Sequence, residues 1–235
     1  MLKNLPKLGL SLTFVFASLV IYSTYGHSLP DSPPPKRPPR GTPTPGGTLG
    51  GSLQCPQTPK LPNLLIPDVV LGSFSEGQGS TTSLYPTFWV YIPYTSNDIK
   101  SVKFSLLKET GYSQYPEAEI RLSNVPGVVG ITLPPQEKYA LEEGKFYKWN
   151  LNIYCSSKKD AQPKSMDGWV QRVGKTSGVE RSQAIWYDAV TNLAKLRLKN
   201  DNATLKAEWE KLMSAAVKQK IAEEKLIEII VLPDK

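Results

Sequence analysis

Between Leu64 and Val173 hydrophobic side chains recur mostly at every second position, the period of a strand with one buried face. In the segment Tyr85–Pro93, Phe88, Val90 and Ile92 fall on one face while Trp89 and Tyr91 fall on the other. Val102, Phe104 and Leu106 alternate with Ser101, Lys103 and Ser105. Further short runs cover 64–71, 118–122, 128–133, 146–154 and 169–173. Turn residues separate them at Ser96-Asn97-Asp98, Asn124-Val125-Pro126-Gly127, Glu143-Gly144 and Asp167-Gly168. About seven strands at this spacing predict an antiparallel β-sandwich of immunoglobulin-like character.

Beyond Val173 the period lengthens. Ile185, Trp186, Ala189, Val190, Leu193 and Leu196 recur at helical spacing, with Ser182 as the expected N-cap. Lys195, Arg197 and Lys199 sit in the last turn, where cations favour the helix dipole. A turn at 199–202 lets Asp201 or Asn202 cap a second helix, marked by Leu205, Trp209, Leu212 and Ala216. The pair reads as an antiparallel hairpin whose apolar face must dock on the sandwich or on a partner. Residues 220–232 fit an amphipathic helix or an Ile-rich strand equally well. The fold class expected is therefore β-rich α+β: a sandwich followed by a C-terminal helical hairpin.

Ahead of the body lie two segments of another kind. Lys3 and Lys7 precede an uncharged, mostly apolar run from Leu8 to Tyr22, the pattern of a secretory signal. A bilayer span takes about 20 apolar residues, so a permanent membrane helix is the weaker reading. Thr24 and Gly26 place small residues at −3 and −1, predicting cleavage after Gly26. The alternative is an uncleaved signal, which would be the chain's one membrane attachment. Eleven of the 21 prolines fall between Leu29 and Pro62. With so few apolar residues, this stretch cannot offset its ordering entropy and reads as an extended spacer. The organisation expected is a signal at 1–26, a Pro/Gly-rich linker at 27–62, a sandwich domain at 63–175 and a helical region at 176–235.

Charge changes the picture only when divided by region. The net charge is +7, but from Asn63 onward basic and acidic residues nearly balance and are interspersed. Nucleic-acid capture needs a basic face or stripe, and none is visible, so no nucleic-acid partner is expected. The chain has 1 His and 2 Cys, too few for a zinc site of the usual Cys/His type. No metal or cofactor is expected. In an oxidising compartment Cys55 and Cys155 read as a disulfide, joining the start of the body to its middle. On the chain-entropy account such a loop adds about 4–5 kcal/mol. The competing reading is a catalytic thiol, which would need a base, and the one histidine, His27, adjoins the cleavage site.

Candidate chemistry is sparse. Glu117 and Glu119 share a strand face, and Glu142 and Glu143 adjoin a turn. Paired carboxyls across a cleft can hydrolyse glycosides, but solvated surface charge is the default reading of all four. Trp89, Tyr91, Tyr94 and Trp149 offer an aromatic platform for a sugar, or core packing on both faces of one sheet; core packing is favoured. Asp188, between aromatics in Trp186-Tyr187-Asp188-Ala189, reads first as a partly buried acceptor fixing its helix to the sandwich. Asn202-Ala203-Thr204 matches a glycosylation acceptor, which matters only in a eukaryotic secretory pathway.

Several motifs occur together in one order: Tyr85-Pro-Thr-Phe-Trp-Val-Tyr-Ile-Pro-Tyr94, Lys103-Phe-Ser-Leu106, Pro126-Gly-Val-Val-Gly-Ile131, Leu141-Glu-Glu-Gly-Lys-Phe-Tyr-Lys-Trp149, Ile153-Tyr-Cys155, Gly168-Trp-Val-Gln-Arg172, Ile185-Trp-Tyr-Asp-Ala189 and Leu205…Trp209…Leu212. In order and spacing they resemble a cyanobacterial domain-of-unknown-function family, number nine-two-eight, over about Pro39 to Leu212. The resemblance implies an exported cyanobacterial protein and supplies no catalytic residues. The chain departs from the family pattern in the short gap from Val173 to Ser182, where relatives carry a further helix, and in the tail after Met213. The function expected is a non-enzymatic periplasmic or envelope protein-interaction module, with a carbohydrate-binding module as the alternative. Trp89, Tyr91, Trp186, Tyr187 and Asp188 are the speculative ligand or partner surface.

Overall fold

Most of the period-two runs form strands of two stacked sheets; of the run expected at 64–71 only Leu64 is in a strand, and 68–71 lie outside the described residues. The computed structural model describes residues 55–67, 78–158, 161–174, 185–216 and 220–235, all within the compact unit Arg37–Lys235. The signal segment, nearly all of the linker, and Ser182 with the gap before the first helix lie outside the described residues.

In chain order the strands are β1 (Asn63–Leu64), β2 (Gln78–Thr81), β3 (Thr87–Ile92), β4 (Ser101–Lys108), β5 (Ser113–Ile120), β6 (Gly127–Thr132), β7 (Phe146–Tyr154) and β8 (Lys164–Arg172). Two helices follow, α1 (Trp186–Lys199) and α2 (Ala203–Ala216), then a last strand β9 (Leu226–Val231). One sheet has the order β1-β3-β6-β9 and the other β2-β8-β7-β4-β5.

Two expectations need correction. The pairing is mixed, not antiparallel throughout: β2 runs parallel to β8 and β6 parallel to β9. These parallel pairs depart from the immunoglobulin-like pattern, and the molecule is a sandwich of mixed sheets. The C-terminal region is not wholly helical either, since 226–231 of the undecided tail is a strand. The reason is connectivity. A parallel neighbour requires a long crossover, and the segment from β7 to α2 provides it, so β9 can return to the free edge of β6.

The two-faced strand β3 is buried on both sides. Phe88, Val90 and Ile92 face Val102, Phe104, Leu106, Trp149 and Leu151 across the inter-sheet core. The Phe88 ring lies 4.9 Å from Trp149 and 5.2 Å from Phe104, both tilted. Trp89 and Tyr91 face outward instead, into a second cluster with Trp186, Val190, Ala194, Trp209 and Met213 from the helices. The molecule is thus layered helix on sheet on sheet. Among the described residues no helix is long and apolar enough to cross a membrane.

One glycine makes the outer layer possible. Gly130 of β6 pairs with Trp89, and a Cβ there would meet the Trp89 ring and Thr87 Cγ2 at 2.9 Å. Only a residue without a side chain lets the indole lie flat on β6.

The Cys55–Cys155 disulfide is formed, with Cα atoms 4.9 Å apart. It fastens the chain ahead of β1 to the end of β7. At the other end, Tyr115 Oη donates to the Pro233 carbonyl at 2.8 Å. Tyr139 Oη donates to the Lys235 carbonyl at 2.7 Å, and Lys138 pairs with Asp234 at 2.7 Å, so the final residues lie against Tyr115 of β5 and the turn at Glu137–Tyr139.

Candidate functional site

The first turn of α1 enters the groove between the layers, and three consecutive residues there do three different things. Trp186 turns into the outer cluster and donates its indole N–H to the Leu65 carbonyl at 2.7 Å. Tyr187 turns the other way, into the inter-sheet core, edge-on to Phe88. Its hydroxyl accepts from Trp149 Nε1 at 2.8 Å and donates to the Trp169 carbonyl at 3.1 Å. Burial pushes this phenol far above the usual tyrosine range, with the Trp149 bond opposing in part. Asp188 accepts from the Thr82 backbone N–H at 2.8 Å, from Thr82 Oγ1 at 2.6 Å and from Thr81 Oγ1. This is the role expected of it: a partly buried acceptor that ties the helix to β2 and the segment after it.

The other residues named as a ligand surface are placed differently. Trp89, Tyr91, Trp186 and Tyr187 keep between 1% and 5% of their surface exposed, too little for a sugar to stack on. Tyr94 and Trp149 are buried at 1% and 0%. The aromatic strand is core on both faces, because the hairpin covers the side that an open sandwich would show to water. Trp89 even spends its N–H inside the molecule, on Thr191 Oγ1 at 3.0 Å.

The four glutamates sit in water. Glu117 pairs with Lys103 at 3.0 Å, and Glu142 with Lys108 at 2.7 Å, while Glu119 and Glu143 are exposed. The hydrogen bond from Lys108 holds the Glu142 carboxyl below its ordinary range. Neither pair of acids borders the clefts described next.

The first cleft, about 540 Å³, opens beside α1. Its wall on the helix is the stripe Asp188, Thr191, Asn192 and Lys195, spaced so that all four share one face. Opposite run residues 82–87, which lead into β3, with Thr132 and Arg172 at the ends of β6 and β8. Arg172 donates from Nη1 to the Leu141 carbonyl at 3.1 Å, while its Nε is buried without a partner among the described residues. A second cleft, about 530 Å³, lies between the end of α1, the start of α2 and residues 222–226. There most charges are already paired: Arg197 with Asp201, Lys206 with Asp201, and Lys60 with Glu224.

Sequence reasoning missed the first cleft and the burial of Arg197. The helical stripe at 188, 191, 192 and 195 was the available signal, but polar stripes on helices ordinarily face water. Arg197 was expected only to serve the helix dipole; it lies 5.4 Å over the Trp209 ring. The capping alternatives are settled as well. Asn202 Oδ1 accepts from Leu205 N at 3.0 Å and caps α2, which leaves Asp201 for Arg197.

The arrangement defines a class: a mixed-sheet sandwich covered on one side by a helical hairpin, with a polar cleft beside the hairpin's first helix. A family model described as Domain of Unknown Function (DUF928) matches residues 44–226, and the chain belongs to that family. The match runs past Met213 to the start of β9, so most of the stretch expected to depart from the family pattern lies inside it. No curated protein and no solved structure matches the chain.

Proposed function

We propose that this chain is an exported, non-enzymatic protein whose body binds a partner in the cell envelope. The observation that carries the compartment is the Cys55–Cys155 bond, because structural disulfides belong to oxidising environments. The sequence before it adds an export signal and a proline-rich spacer, which would hold the body away from its point of export. The body offers little for catalysis: its prominent motif, Trp186-Tyr187-Asp188, is consumed in packing and hydrogen bonds, and Asp188 accepts three of them. A carboxylate so occupied is a poor general base.

The reading is tested by incubating the purified, oxidised protein with panels of glycosides, esters and peptides. No turnover is expected. Turnover that Asp188→Asn abolishes while the fold persists would overturn it.

A second reading, a carbohydrate-binding module, is favoured by the polar cleft beside α1 and not by the buried aromatic strand. Hydroxyl and amide groups of Ser83, Thr132, Thr191 and Asn192 line it, the kind of wall that hydrogen-bonds sugar hydroxyls.

A further inference from the structure

The cleft beside α1 has an imbalance of charge and of hydrogen bonding. Three titratable side chains of settled sign line it: Asp188, Arg172 and Lys195. The Asp188 carboxylate is already occupied by Thr81 and Thr82. It is not the partner of either cation. Among the described residues, Arg172 and Lys195 form no ion pair, although seven other cationic side chains of the body do, and the Arg172 guanidinium leaves Nε buried and unsatisfied. That Nε has no surface open to the cleft, so it is the two charges, not an unmet donor, that argue for an anion.

The remaining wall is rich in donors. The Thr191 oxygen is taken by the Trp89 indole, so the hydroxyl offers its proton, and the Asn192 amide and the Lys195 ammonium lie along the same helical stripe. The Thr87 and Thr132 hydroxyls bond each other at 2.7 Å, which leaves one of their two protons to offer. At the rim Leu84, 43% exposed, and half-buried Tyr85 add apolar surface of the kind a sugar ring covers. A concave site lined by donors, by two cations with no ion pair among the described residues and by an apolar lip suits an anion carried on a hydroxylated ring.

We propose that this cleft binds an acidic saccharide, its carboxylate received by Arg172 and Lys195 and its hydroxyls by the Ser83 and Asn192 side chains. The proposal rests on the carbohydrate reading above and narrows it to one site and one ligand class. Charge-assisted bonds to a carboxylate are the strong ones in such a site, so most of the selectivity should reside in the two cations.

The test is a calorimetric titration of the full, disulfide-bonded chain with a uronic-acid trisaccharide, with the matched neutral trisaccharide, and with a short glutamate peptide. The uronate is expected to bind saturably, the neutral sugar and the peptide each at least about tenfold more weakly, and added salt should weaken the uronate alone. Lys195→Gln, on an exposed position, should weaken uronate binding by about tenfold with the melting temperature unchanged. Arg172→Gln should weaken uronate binding as well, with some loss of stability because its bond to the Leu141 carbonyl goes too, and Asn192→Ala should weaken both sugars. Equal binding of acidic and neutral sugars, unaffected by Lys195→Gln, would overturn the acidic-ligand inference and leave the carbohydrate reading standing. Equal binding of the peptide would show a site for carboxylates in general and overturn the saccharide. Absence of binding by any sugar at millimolar concentration would overturn both.

Discussion

Trp186, Tyr187 and Asp188 are neighbours in sequence but belong to three environments: the outer cluster, the inter-sheet core and the edge of the cleft. Such divergence at the first turn of a helix fixes its position and its rotation together. Asp188→Asn keeps the volume but replaces one acceptor oxygen by a donor that faces Thr82 or Thr81. A loss of about 2 kcal/mol is expected in urea unfolding, from the range for bonds to charged groups. Tyr115 gives a pH prediction. Burial, with smaller contributions from Tyr139 and Asp234, pushes its phenol up to about 12. Below about pH 10 folded and unfolded chains both keep the proton, and stability does not depend on this group. Between about pH 10 and 12 the unfolded chain releases it first, so stability falls as pH rises. Tyr115→Phe should make that fall shallower, as read by denaturant midpoints at stepped pH.

Sheet one is the element on which the other layers depend, since it is covered on both faces. Gly130→Ala places a methyl group against Trp89 and Thr87 at 2.9 Å, and neither can retreat from a packed core. A destabilisation of about 1–3 kcal/mol is expected in thermal or urea unfolding. Replacing both Cys55 and Cys155 by Ser removes the tie between the chain ahead of β1 and the end of β7. A loss of up to about 4–5 kcal/mol is expected on the chain-entropy account, seen as a lower midpoint that reducing agent no longer changes. Much of this layer was legible in the sequence. Phe88, Val90 and Ile92 against Trp89 and Tyr91 announced a strand covered on both faces, and Val102, Phe104 and Leu106 a half-buried one. Strand β2 was not legible, because Gln78-Gly-Ser-Thr81 has no apolar alternation. It is buried through its parallel partner β8 and through α1, with Gly79 lying against the Tyr187 ring. Strand β9 was ambiguous because Leu226-Ile-Glu-Ile-Ile-Val231 carries neither a clean period of two nor one of 3.6. Its state is decided by the open edge of β6, information that resides in the tertiary fold. The cleft was illegible for the same reason: Arg172 and Lys195 meet only once α1 has docked.

At the scale of the molecule, three layers are held by two apolar clusters in which Trp89, Tyr91, Trp149, Trp186 and Tyr187 are buried. The cleft proposed as the binding site lies at the seam between α1 and the segment entering β3. That location suits a binding site, since rigid elements hold the stripe 188–195 on one wall and strand ends on the other. The disulfide is compatible with a protein that works outside the cytosol. Export is the claim on which the compartment, the redox state and the class of ligand all depend. Its most direct test is an intact-mass measurement on the chain recovered from an exporting cell expressing the full sequence. The account predicts an envelope or external form that begins at His27 and is two hydrogens lighter than its reduced mass. Recovery from the cytosol with Met1 in place and both thiols free would contradict it.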